Sequence, residues 1–328
     1  MEIDAGGVPR AELPPLLVVA LGGNAIQAPD GDDSVDSDWA RTQATADELV
    51  RLTLEGHWRL VVTHGNGPQV GNHLLRSELG HSSGGLPLLP LEVCVADTQG
   101  GMGYLLQQCL ANAFHRAGVP AVVTSVVTQV LVDREDPAFD APSKPVGEII
   151  DAARAGELRA QGWALAEDVR RGGWRRIVAS PEPREIVEAQ AIWALVEDGV
   201  VVVACGGGGI PVVQASNGDL SGVAAVVDKD LASALLAAVL GASALLVVTD
   251  VPRVATGFGG PSESELQSIS VAEARALAAR GEFPPGSMGP KVDAVARFVA
   301  ATGGLGVITT ISDAAAALSG RAGTTITP

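Results

Sequence analysis

Seven apolar, β-branched runs punctuate the chain: LLVVAL (16–21), RLVVTH (59–64), AVVTSVVTQVLVD (121–133), RIVAS (176–180), VVVVAC (200–205), ALLVVTD (244–250) and LGVITT (305–310). Between most of them lie stretches of helical apolar period, at 37–56, 97–117, 184–198, 228–240, 271–281 and 289–301. A strand that is apolar at every position has to be covered on both faces, and intervening helices supply the crossovers that parallel strands require. The alternation therefore predicts an α/β fold in which a mainly parallel sheet lies between layers of helices.

The bulk composition is compatible with that architecture. At 328 residues, 47% of them hydrophobic, the chain can bury a large core. No window holds the eighteen or so uninterrupted apolar residues of a membrane span, and MEIDAGGVPRAELPP lacks the basic-then-apolar order of a signal peptide. The expected location is the cytoplasm. Cys94, Cys109 and Cys205 are odd in number and form no CxxC pair, so neither a disulfide framework nor a zinc site is indicated. A net charge of −16 argues against nucleic acid or an anionic membrane as partner. Small phosphates are not excluded, since they need only a local positive cluster and oriented backbone NH groups.

Glycine-rich segments follow the strands, and in open α/β sheets ligands bind beyond the carboxyl ends of the strands. LGGNA (21–25) reads either as a tight strand exit or as a close backbone approach to an anion. In THGNGPQVG (63–71), glycines flank Asn66, and Pro68 sits where a helix can begin at its first turn. His64 has no cysteine, serine or carboxylate beside it in sequence as a triad partner, and reads as a structural or substrate-contact residue. None of the histidines shows metal-ligand spacing. Four consecutive glycines in CGGGGIP (205–211) carry a high entropic cost unless backbone proximity is needed. No Walker A motif occurs, and Pro211 breaks the dinucleotide fingerprint here. The polar, arginine-rich stretch 134–183 reads as an insertion and a candidate lid; within it RRGGWRR (170–176) is either a solvated basic loop or a phosphate-closing one.

Against nineteen arginines the chain has three lysines, and all three fall in loop or loop-to-helix motifs: Lys144 in PSKPVG, Lys229 in VVDKDLAS and Lys291 in GSMGPKVDA. A lysine ammonium is a compact charge that can follow a moving phosphoryl group, whereas arginine's planar fork favours fixed bidentate geometry. Asp228 and Asp230 suit the N-cap and first turn of a following helix, and a carboxylate beside Lys229 also keeps it protonated and aimed.

LGGNAI, THGNGPQVGN, TQG with Gly103 and Tyr104, VTQVLVD with DPAF, KPVG, GWRR, SPEP, CGGGGIPV, VVDKDLA, TDV and GSMGPKV occur in order from about residue 16 to the terminus. By this ordered set the chain resembles the carbamate kinases of the amino acid kinase family. SMGPK, DKD and HGNGPQ together separate that group from acetylglutamate, glutamate and uridylate kinases.

The resemblance implies a three-layer α/β/α sandwich with an open sheet: an N-terminal extension (1–15) and one domain (16–328). In that domain a lobe at about 16–200 would bind carbamate or carbamoyl phosphate, with a protruding lid at about 134–183. A lobe at about 201–328 would bind ATP or ADP. It implies Mg²⁺ carried by the nucleotide rather than by protein side chains, a homodimer, and a role in arginine or related nitrogen catabolism. Gly22, Gly23, Asn24, His64, Gly65, Asn66, Gly67, Gly206 and Gly207 would surround the substrate. Gly22 and Asn24 would act in catalysis with Lys144, Lys229 and Lys291, and Asp230 would organise the lysines. Lys229, Thr249, Asp250, Val251, Met288, Gly289 and Lys291 would meet the nucleotide. The chain departs from the family pattern at Glu148, Ile149 and Ile150, where Pro-Phe and an aromatic or apolar residue are usual, and at Ala179, where proline is usual. The altered lid motivates one rival, a same-fold kinase for another small carboxylate or phosphate acceptor; a rival of another class is a non-catalytic nucleotide-binding regulator that has kept the fold.

Overall fold

The computed structural model describes residues 13–26, 34–160, 163–168, 172–284 and 286–328, with the side chains of Asn24 and Glu148 outside the description. Most of the N-terminal extension and Arg170 and Arg171 of the basic loop lie outside the described residues. The α/β sandwich expected from the apolar runs is the observed architecture. Eight strands form one sheet in the spatial order Ser268–Ser270, Thr324–Thr327, Leu305–Thr309, Ala244–Val248, Leu16–Leu21, Arg59–His64, Val201–Val203 and Val123–Ser125. Every pairing is parallel except that between Leu305–Thr309 and Thr324–Thr327.

The central strand explains why its sequence is apolar throughout. Leu16, Val18 and Ala20 pack with Leu236, Val295 and Phe298 on one face, while Leu17, Val19 and Leu21 pack with Leu49, Leu106 and Leu110 on the other. The first set of partners lies on helices Lys229–Val239 and Met288–Thr302, the second on Val35–Gly56 and Leu91–Arg116. Period-two alternation thus persists, but both faces are buried, so each inward side chain contributes about 1.5–3 kcal/mol of apolar burial. Six strands have their carboxyl ends at one edge, Thr324–Thr327 and its parallel neighbour Ser268–Ser270 running the other way, and the loops at 22–25, 65–67, 204–209 and 249–251 emerge at that edge.

Two runs divide differently from their sequence pattern. Residues 121–133 split into Val123–Ser125, in the large sheet, and Gln129–Val132, in a four-stranded sheet with Leu220–Gly222, Ile210–Gln214 and Pro183–Ile186. The cause is Gln99, whose side chain accepts from Thr128 N (2.8 Å) and donates to Thr128 O (3.0 Å), holding the chain between the two sheets. RIVAS is likewise no strand of the large sheet. Gly173–Val178 joins Lys144–Ile150 and Leu165–Asp168 in a small antiparallel sheet that, with helix Ala152–Ala160, forms the insertion.

Val146 and Val178 seat this insertion against Val70, Leu74, Leu91 and Val226 of the body. The arginines of GWRR work within that joint: Arg175 donates to Gly147 O at 3.1 and 2.9 Å, and Arg176 lies over the Trp163 ring (4.1 Å) and pairs with Glu78 (3.3 Å). Both guanidinium groups are thus engaged within the joint rather than freely solvated. Helix Gly67–Gly84 carries the other side of the joint, and there Gly71 meets Gly147 so closely that a Cβ on Gly71 would lie 2.0 Å from Gly147 Cα.

Gly71→Ala should therefore destabilise the protein by about 1–3 kcal/mol through overpacking. In an unobstructed helix the same change stabilises by roughly 0.5–1 kcal/mol. Urea unfolding measures the sign, and a variant as stable as the parent or more so would contradict this packing.

Candidate active site

At the carboxyl edge of the sheet a cavity of about 150 Å³ opens between body and insertion. It is lined by the loop 65–67, Gly207, the segment 226–230, Lys144 at the start of the insertion, and Ser287 and Lys291. All three lysines of the chain thus converge on one cavity from three separate parts of the sequence.

Two carboxylates hold them. Asp228 caps helix Lys229–Val239: its Oδ1 accepts from Asp230 N at 2.9 Å and Leu231 N at 3.5 Å. Its Oδ2 accepts from Lys144 Nζ at 2.5 Å. Asp230, whose side chain is buried, accepts from Lys229 Nζ through one oxygen and from Lys291 Nζ (3.2 Å) through the other. Three ammonium groups facing two carboxylates leave the cavity with one surplus positive charge, which suits an anionic ligand.

Burial pushes the Lys229 pKa down, opposed by Asp230, and the neighbouring Lys291 lowers it further. For Asp228, burial pushes upward, but Lys144 and then Lys229 prevail and hold it at about 2, so it is ionised at ordinary pH. The start of the helix is pinned to the sheet: Ser233 Oγ donates to Lys229 O (2.5 Å), and Thr63 Oγ1 lies 2.6 Å from Ser233 Oγ.

The glycine run forms a floor that must lack side chains. Cys205 (φ 49°), Gly207 (66°), Gly208 (89°) and Gly209 (88°) all have left-handed backbone. A Cβ on Gly207 would lie 2.2 Å from Asn66 Nδ2, and one on Gly206 2.5 Å from His64 Nε2. Asn66 is aimed by its bond to Thr98 Oγ1 (2.8 Å), which itself donates to Val95 O (2.7 Å). His64 is buried beneath the run with Nδ1 3.1 Å from Gly65 O. Its ring therefore supports the glycine run from below, and burial, then Lys229, lower its pKa to about 4 despite the Gly65 bond.

Of the residues singled out in the sequence, Gly65, Asn66, Gly67, Lys144, Gly207, Lys229, Asp230 and Lys291 line this cavity; Gly22, Gly23, His64, Gly206, Thr249, Asp250, Val251, Met288 and Gly289 do not. Gly22 and Gly23 occupy the turn after the first strand, with the Asn24 backbone, and Gly22 approaches Val248 O. Thr249–Val251 leave the adjoining strand beside that turn, Thr249 N donating to Thr309 O at 2.9 Å. Met288 and Gly289 open helix Met288–Thr302 next to Lys291. Sequence reasoning gave Asp228 a capping role and a place beside Lys229, and missed its bond to Lys144, which joins residues 84 apart. Ser233, a small residue on an apolar helix, carried no readable signal.

The model of the amino acid kinase family matches residues 15–310. A carbamate kinase-like protein of Escherichia coli K12, YahI, is 46% identical over 95% of this chain and 98% of its own length. Carbamate kinase of Pyrococcus horikoshii is 42% identical over 96% of this chain and all of its own. Among solved structures, carbamate kinase from Giardia lamblia bound to AMP-PNP superposes with a TM-score of 0.87 at 40% identity, covering 95% of this chain and 98% of that one.

The buried His64 ring implies a pH dependence. Its folded pKa of about 4 lies below the unfolded value of 6.5, so between these values the unfolded chain binds more protons. Stability should fall as pH drops from 6.5 towards 4, by up to about 3 kcal/mol from this group. Chemical unfolding at a series of pH values should show a shallower dependence in His64→Gln over that interval; an unchanged slope would mean that the ring takes up its proton while folded.

Proposed function

This chain belongs to the amino acid kinase family, and we propose that within it the chain is a carbamate kinase, transferring a phosphoryl group reversibly between ATP and carbamate. The observation that carries the reading is the convergence of Lys144, Lys229 and Lys291 on one small cavity floored by glycines, with two carboxylates occupied in holding them. A carbamate oxygen attacks the γ-phosphorus, the bond from phosphorus to the bridging oxygen breaks, and ADP leaves; the reverse direction forms ATP from carbamoyl phosphate.

Carbamate is already an oxyanion, so the acceptor surrenders no proton and no general base is needed. Asp228 and Asp230, each bonded to lysine, and His64, neutral under the floor, fit that economy. Catalysis then consists of positioning and charge stabilisation, as for phosphoryl transfer in general. In this reading Lys229 and Lys291 meet the transferred phosphoryl group, Lys144 closes on it from the insertion, and Gly22, Gly23, Asn24 and Asn66 surround the carbamate. The nucleotide extends towards Thr249, Asp250, Val251, Met288 and Gly289.

Among the described residues, no three metal-ligating side chains converge, and both cavity carboxylates are bonded to lysines. This donor set fits Mg²⁺ carried on the nucleotide phosphates, where it would neutralise charge, better than an ion held by protein. Residues up to about 200 serve the carbamate side and those from 201 the nucleotide side, and the enzyme works as a cytoplasmic homodimer.

Purified protein given carbamoyl phosphate, ADP and Mg²⁺ should form ATP, read by a coupled assay. Lys229→Ala should lose on the order of 10²-fold or more in kcat, as removal of a preorganised charge-stabilising group does at other sites. A variant with full turnover, or a parent protein that binds ADP without making ATP, would overturn the assignment.

A further inference from the structure

Catalysis as described employs three lysines and Asp230, and leaves Asp228 a helix cap. Capping does not explain a charge at this position, because asparagine caps as well as aspartate. The second oxygen of Asp228 has a different partner, the Lys144 ammonium at 2.5 Å, and these side chains are only 16% and 28% exposed. Lys144 needs such a partner. Its backbone is fixed two residues on by the buried Val146, but four rotatable side-chain bonds lead to Nζ, and a lysine held by its backbone alone keeps most of its rotamer freedom.

We propose that Asp228 is a positioning residue for phosphoryl transfer, seating the Lys144 ammonium of the insertion at the catalytic cavity before substrate enters. The proposal rests on the cavity being the phosphotransferase centre. Asp228 lines the cavity, but both its oxygens are engaged, one by helix NH groups and the other by Lys144, through which it acts. Labour is divided between the two carboxylates flanking Lys229, Asp230 holding the two lysines of the body and Asp228 the one that arrives from the insertion. Because Asp228 is also the helix cap, the same oxygen pair ties the insertion's charge to the first turn of the helix that carries Lys229. Lys144, and then Lys229, keep the buried Asp228 carboxyl ionised.

The three lysines of this chain make the test site-specific, since acylation by N-hydroxysuccinimidyl acetate can be quantified at each by mass spectrometry. In Asp228→Asn, which keeps a competent cap, labelling of Lys144 should rise severalfold, because its ammonium loses the carboxylate that occupies it. Lys229, which the Asp228 charge also supports, should rise less than Lys144, and Lys291 should change least. The kcat for ATP formation should fall about tenfold from lost positioning. In a Lys144→Met background, Asp228→Asn should lower kcat no further. Unchanged labelling at Lys144, an equal rise at all three lysines, or a further loss of kcat in the double variant would each overturn the proposal. The two readings fail separately. Selective exposure of Lys144 in a protein that makes no ATP removes the reaction and leaves the seating, whereas ATP formation with unaltered labelling does the reverse.

Discussion

Three ammonium groups can share one small, half-dry cavity only if carboxylates stand between them, because like charges repel strongly where water is scarce and burial favours loss of the proton. The arrangement of Asp228, Lys229 and Asp230 meets this requirement at a single helix terminus. Two carboxylates two residues apart diverge around Lys229, so that one takes the lysine from the insertion and the other takes the two lysines of the body. Much of the surrounding structure serves to hold that terminus still. Ser233 and Thr63 bind the first turn to the second strand, and that strand lies in register with the first, whose side chains are buried on both faces.

The same construction separates a fixed part from a part attached by a narrower joint. The body is built on the eight-stranded sheet packed on two sides, and Lys229 and Lys291 belong to helices that cover it. Lys144 belongs to the insertion, which meets the body through Val146 and Val178, the bare contact of Gly71 with Gly147, and the Arg176–Glu78 pair. Any adjustment of charge around a phosphoryl group therefore falls to Lys144 more readily than to its two companions.

How much of this was legible in the sequence follows from the range of the interactions involved. LLVVAL and ALLVVTD announce buried parallel strands because every residue is apolar, a local property. The break inside 121–133 was hidden, since it depends on Gln99, 29 residues from Thr128. Helix Gly67–Gly84 showed its first turn through Pro68 but not its length, because HLLRSELGHSSG is weakly amphipathic and its apolar stripe is completed by insertion residues remote in sequence. At the site, scarcity made the lysines visible and the resemblance implied that they meet; the structure brings all three to one cavity. The Lys144–Asp228 bond stayed invisible because capping already accounted for the aspartate. His64, without a triad partner beside it, read as structural or substrate-contact, and its burial under Gly206 gives it a packing role.

The glycine run bears on how such a chain can vary over generations. A Cβ at Gly206 would strike the His64 and Gln99 side chains, at Gly207 the Asn66 amide, at Gly208 the carbonyl of Val227, and at Gly209 the Val130 side chain. Each obstacle belongs to a different segment, and one is backbone that no substitution removes. A compensating change that made room at one position would leave the other three closed. The loop can therefore not drift towards ordinary sequence by single steps, and diversification of this scaffold is channelled into the insertion, where side chains rather than bare peptide meet the cavity.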